Sequence, residues 1–189
     1  MDSLQSINKI LRKPFGTTQH VNDLKKHFAE FLGKFEDTNM ATSIAFQRTT
    51  ELDDLKPILA CLEETMPPEL DIQTTKILKV LLRKSVNRVS LGHLGMCTIV
   101  LVLQRHSRNR FILPVDICHV VLNSCYDSVN AQTFIDEGGL EPLLLLLNYT
   151  DVNVLSALLS AIQTISYIPG GRRVLMLSRE VYTHITCLT

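Results

Sequence analysis

The chain has no tryptophan, and aromatic residues make up only 6% of its 189 positions. Its core must therefore be built mainly from aliphatic side chains, and leucine-rich stretches of this density suit helix-on-helix packing. Net charge is missing as well, because 19 Lys and Arg balance 19 Asp and Glu. A nucleic-acid binder ordinarily carries a basic excess, so general affinity for DNA or RNA is not expected, although a local basic patch is not excluded. The longest apolar runs, such as Leu143 to Leu147, fall far short of the ~20 residues that span a bilayer. The opening Met1-Asp2-Ser3-Leu4-Gln5 has no signal-peptide apolar stretch. A cytoplasmic protein of a eukaryotic cell, with no membrane span, is the expectation, with cytoskeletal or ciliary association left open.

Catalytic motifs are also lacking. There is no Gly-rich phosphate loop, no GxSxG and no HExxH. No enzyme activity, cofactor or metal is therefore expected. The five cysteines, at 61, 97, 118, 125 and 187, include no CxxC pair. Each falls in or beside an apolar stretch, which fits reduced, buried thiols acting as small hydrophobes. His93 and Cys97 are four apart, a ligand spacing, and Cys118, His119 and Cys125 form a less regular group. A structural zinc site takes four ligands in two close pairs, so both groups are assigned to the core.

What is present is helical periodicity. Residues 1–39 read as an N-terminal helical pair. Leu4, Ile7, Ile10 and Leu11 share one face, Pro14 and Gly16 interrupt, and Val21, Leu24, Phe28, Phe31, Leu32 and Phe35 follow three/four spacing. From residue 40 three segments, 40–83, 84–127 and 128–171, share one grammar, with a partial fourth at 172–189. In the clearest, a short helix from Val129 to Glu137 stops at Gly138-Gly139, where a left-handed conformation ends the helix. A second helix opens at Leu140-Glu141-Pro142 and runs through Leu143 to Leu147. Asp151 then caps a third helix bearing Val154, Leu155, Leu158, Leu159, Ile162 and Ile165. Upstream, Leu55-Lys56-Pro57 and Leu94-Gly95-Met96-Cys97-Thr98 occupy the place of Leu140-Glu141-Pro142. Pro57, Thr98 and Pro142 then recur at offsets of 41 and 44 residues, a period typical of helical solenoids. Third helices are expected from Asp71 to Arg83 and from Pro114. The polar stretch Gln104–Leu113 reads as an insertion between the second and third helices of the middle segment.

The run Phe134-Ile135-Asp136-Glu137-Gly138-Gly139-Leu140-Glu141-Pro142-Leu143, followed by Asp151, resembles an armadillo repeat. The resemblance covers about two-thirds of the chain, and HEAT repeats are the nearest alternative. It implies an all-α, right-handed solenoid of about three three-helix repeats, with the third helices lining one concave, partner-binding face. The fourth repeat ends on Ile185, Cys187 and Leu188 without a polar cap, so the chain is expected to be a fragment or short isoform. The alternative is that this end is covered, for instance in a homodimer through 172–189.

By resemblance, nuclear-import adaptors of the family carry an asparagine near the end of each third helix. The matching positions here are Thr164, Ser124 and about Leu82, which argues against nuclear-signal recognition. Asn123 and Gln163, one residue away, remain able to bond a peptide backbone. Arg105, His106, Arg108 and Arg110 form the sharpest basic cluster, and guanidinium groups there suit an acidic peptide or phosphate. Arg83, Lys84 and Arg88, at a segment junction, suit capping of helix C-termini. The candidate partner-binding residues are thus Arg105, Arg108, Arg110, Asn123, Ser124, Gln163 and Thr164. The expected function is a protein–protein interaction scaffold for a partner peptide or helix. The alternative is a regulatory domain of a larger protein that binds a small GTPase or kinase, as in formins.

Overall fold

The computed structural model describes residues 3–11, 18–35, 55–63, 67–109 and 112–178. Among these the protein is all-helical, with ten α-helices, one 3-10 turn and no strand. The chain divides into two compact units, Met1–Ser90 and Leu91–Thr189.

In the first unit, α1 (Ser3–Leu11) packs against α2 (Thr18–Phe35) and α3 (Leu55–Glu63), and α4 (Pro68–Leu81) packs against α2 and α3. The expected phenylalanine edge of α2 faces inward, with Leu24, Phe28, Phe31, Leu32 and Phe35 all buried. Each fully buried Phe contributes roughly 1.5–3 kcal/mol, and the Phe31 and Phe35 rings meet tilted, with centroids 4.9 Å apart. The interrupting Pro14 and Gly16 lie outside the described residues. Helix α4 starts three residues before the expected Asp71, because Pro68 sits in the first turn where a missing amide costs no hydrogen bond. Glu69 and Asp71 complement the positive end of its dipole. Arg83 Nη1 donates to the carbonyl of Phe35, the last residue of α2, at 3.5 Å. This is a C-terminal capping role of the kind its charge suggested.

Helix α5 (Ser85–Arg108) leaves helical geometry at Gly92, where φ is 62° and ψ is −175°. That combination is essentially restricted to glycine. The sequence pattern points to Gly95 as the turn, but Gly95 is buried inside the helix. By length and composition α5 passes as a membrane span, although half of its most apolar window is buried inside the protein and the backbone at Gly92 interrupts it. Its last turn takes in Arg105, His106 and Arg108. The expected insertion thus begins as helix, with His106 buried, and Ile112 beyond the helix is buried too. Basic side chains in a last turn are favoured by the helix dipole.

The second unit continues with α6 (Val115–Cys125), α7 (Ser128–Asp136), α8 (Leu140–Leu145), a 3-10 turn at Leu146–Asn148, α9 (Val152–Ser166) and α10 (Pro169–Leu177). Helices α6 and α9 form the most extensive pairing. Helix α7 lies against α6, and α10 packs on α7, α8 and α9. Asp127 caps α7 by accepting from the Val129 and Asn130 amides, and Asp151 caps α9 by accepting from Asn153 and Val154. Gly138 carries the expected left-handed turn at φ 74°. Behind it, a Cβ at Gly139 would overlap the Phe134 ring. Helix α10 begins three residues before the expected Arg172, and 179–189 lie outside the described residues.

One junction recurs. Asn87 Nδ2 donates to the Leu81 carbonyl at 2.7 Å, and Asn130 Nδ2 donates to the Ser124 carbonyl at 3.4 Å. Both asparagines are buried, and each ends a Ser-Val-Asn tripeptide that opens a helix. Gly171 follows Ile165 by the same six residues, and a Cβ there would strike the Ile165 carbonyl. In all three places the new helix starts four residues after that carbonyl.

Candidate functional site

The seven expected partner-binding residues fall into three sets. Arg105 is half-buried and Arg108 exposed, both in the last turn of α5 rather than in a loop, and Arg110 lies outside the described residues. On α6, Ser124 is fully buried, with its hydroxyl turned back on the Val120 and Val121 carbonyls at 2.7 and 3.1 Å. It therefore presents nothing to a partner, which corrects its place among the candidates. Asn123 beside it is half-buried. On α9, Thr164 donates to the Ser160 carbonyl at 3.0 Å, while Gln163 is exposed.

Gln163 belongs to a stripe that polarity-based reasoning missed. Val152, Ser156, Leu159 and Gln163 repeat at helical spacing along α9, continue to Tyr167 at its C-cap, and are all exposed. The opposite face, with Val154, Ala157, Leu158, Ala161 and Ile165, is buried. Val152 is 76% and Tyr167 73% exposed. The spacing along α9 itself carried this signal, since the helix is apolar on both sides and only one side has a core to face.

Cys118 and Cys125, by contrast, are buried. Burial pushes both thiols up to about 12, with the Asp116 charge adding to the effect at Cys118 and a Ser124 hydrogen bond partly offsetting it at Cys125. A thiol held protonated is neither nucleophile nor ligand. His119, between them, makes its Nδ1 contact to the Val115 carbonyl at 3.0 Å, which corresponds to a protonated Nδ1 donating to that oxygen. Cys118 and Cys125 thus behave as core, as the sequence implied, while His119 is half-buried.

His93 and Cys97 do not. The Gly92 break starts a fresh helical segment at the surface, so the His93 side chain is 71% exposed and Cys97 is half-buried. Their assignment to the core is corrected. One turn apart, they bring His93 Nε2 and Cys97 Sγ to 3.7 Å. Glu137, the C-cap of α7, brings Oε1 to 3.6 Å from His93 Nε2. The three potential ligand atoms all lie within 4.8 Å of one another. Glu137 escaped sequence reasoning because no local spacing rule links it to His93 and Cys97, which lie far upstream in the chain. Compared with known proteins, the chain matches no family model, no curated protein and no solved structure.

Proposed function

We propose that this chain is a protein–protein interaction module, built as a solenoid of armadillo-like helical repeats, which binds a partner peptide or helix along the exposed side of its third helices. The observation that carries the reading is the exposed stripe Val152, Ser156, Leu159 and Gln163 on α9, continued by Tyr167 at its C-cap, apolar and aromatic side chains with one serine hydroxyl and one amide at regular helical spacing. An exposed apolar helix face of this kind suits a partner that buries it, with the amide free to bond a peptide backbone. The recurring junction at Asn87, Asn130 and Gly171 supports the repeat reading, because a similar helix start returns after 43 and then 41 residues. Such arrays work through extended surfaces rather than pockets.

The test is capture of partners by the full chain, comparing wild type with Leu159→Glu/Gln163→Glu and with Arg105→Glu/Arg108→Glu/Arg110→Glu. Specific partners should be lost with the α9 variant. An identical partner set on wild type and the α9 variant would remove the stripe from the account. Unchanged partners on the arginine variant would remove the basic cluster.

A further inference from the structure

We propose that His93 Nε2, Cys97 Sγ and a Glu137 carboxylate oxygen bind a divalent transition ion of the zinc class, tying the Gly138 turn to α5. All three residues belong to the second unit. The expectation of a metal-free protein is revised by where these side chains stand.

The donor set fits this class of ion. Zinc binds imidazole nitrogen at ~2.0–2.1 Å, carboxylate oxygen at ~2.0–2.2 Å and thiolate sulfur at ~2.3 Å, in tetrahedral geometry. Those lengths place neighbouring donors about 3.3–3.7 Å apart. The His93–Glu137 and His93–Cys97 separations are 3.6 and 3.7 Å, already near that edge length. The wider limit of 4.8 Å for the set closes by rotation of the exposed Glu137 side chain. A mixed nitrogen, sulfur and oxygen set disfavours calcium and magnesium, which take oxygen ligands.

The local backbone prepares the arrangement. Gly92 begins the segment carrying His93 and Cys97 on one face. Gly138, at φ 74°, follows Glu137 and turns the chain immediately after it. As a structural alternative, His93 and Glu137 form an ion pair when the imidazole is protonated, with Cys97 Sγ in weak hydrogen-bond reach of the same nitrogen at 3.7 Å, but the His93–Glu137 separation of 3.6 Å is too long for a hydrogen bond. Binding needs neutral His93, with its proton on Nδ1, and ionised Glu137. The Cys97 thiol proton leaves to solvent as the metal–sulfur bond forms. Three protein ligands leave the fourth position to water or to a side chain from a partner.

The experiment uses the full chain with Co2+ and Zn2+ alone as probes, under reducing conditions. Wild type loaded with Co2+ should show the intense visible absorption of a tetrahedral site and a near-ultraviolet thiolate-to-cobalt band, both displaced by Zn2+ and untouched by excess Mg2+. Cys97→Ser should lose the thiolate band, and His93→Ala, Cys97→Ser and Glu137→Gln should each weaken Zn2+ binding at least about tenfold. Zn2+ should raise the melting temperature of wild type but not of His93→Ala. The three side chains are at least partly exposed, so the variants should keep wild-type helical circular dichroism. Absence of the thiolate band in wild type, its survival in Cys97→Ser, or equal Zn2+ affinity across the variants would overturn the assignment. A melting temperature lowered in His93→Ala without any Zn2+ response in wild type would do the same, leaving only the ion pair.

Discussion

The side-chain amide of Asn130 donates to the backbone carbonyl of Ser124 at a position only 3% exposed. The carbonyl belongs to the last turn of α6 and also accepts the Asp127 amide at 3.2 Å, so the asparagine adds a further hydrogen bond to a carbonyl beyond the helical ladder. Asn87 does the same for Leu81 at the end of α4. Replacing either asparagine by alanine removes one buried hydrogen bond while the carbonyl keeps its backbone amide partner, Lys84 for Leu81 and Asp127 for Ser124, which costs about 0.5–1.5 kcal/mol. Asn87→Ala and Asn130→Ala should each lower the melting temperature by about 2–4 °C per kcal/mol lost. Unchanged denaturant midpoints in both variants would mean that water fills the gap and that the junction is not held by these bonds.

The glycines divide by what surrounds them. Gly138 has open space but a left-handed φ of 74°, so Gly138→Ala should cost about 1–2 kcal/mol of backbone strain. Gly171 has no such strain, yet its Cβ would collide with the backbone oxygen of Ile165. A backbone atom cannot swing aside as a side chain can. Gly171→Ala should therefore destabilise more than Gly138→Ala in urea unfolding, and the reverse order would show that α10 moves away from Ile165 at little cost.

The two aspartate caps should behave alike. Each accepts two amide hydrogens at a helix start, Asp127 at 3.1 and 3.0 Å and Asp151 at 2.9 and 3.0 Å. Asp127→Ala and Asp151→Ala should each cost about 1 kcal/mol, and the asparagine variants much less. Equal losses for alanine and asparagine would point to the charge rather than the cap.

Thiol chemistry separates the cysteines. Cys118 and Cys125, raised from 9.0 to about 12 by burial, should resist alkylation in the native protein at pH 8. The half-buried Cys97 should react first among the described residues. Peptide mapping after limited labelling reads this directly. The same shift sets a pH dependence. Unfolding lowers these thiols back to 9.0, so the unfolded chain binds fewer protons above that pH. Stability should be level below about pH 9 and fall as pH rises from there towards 12, by ~1.4 kcal/mol per pH unit for each thiol. Cys118→Ala/Cys125→Ala should flatten that alkaline fall even if it lowers stability at neutral pH. An equally steep fall in the double variant would place its cause in other groups.

Much of this architecture could be read without coordinates. The phenylalanine edge of α2, the Gly138 turn, the Asp151 cap and the start of α6 after Pro114 all follow from local rules of spacing, capping and backbone freedom. Where the reading slipped, the competing features were also local and a few residues apart. Gly95 fitted the repeat register better than Gly92, and Gln104–Leu113 looked like a loop because its polarity concealed the buried His106. The Ser-Val-Asn repeat is visible in the sequence, but its meaning lies in a hydrogen bond to a carbonyl six residues back.

Periodicity and capping chemistry, acting over one or two turns, were enough to determine an all-helical chain and the positions of most helices. Which side of α9 faces a core, the inward turn of Ser124 and the approach of Glu137 to His93 and Cys97 were decided by packing between segments far apart in sequence. Helical spacing tells which residues share a face, but only the neighbouring helices determine which face is left for solvent, a partner or an ion.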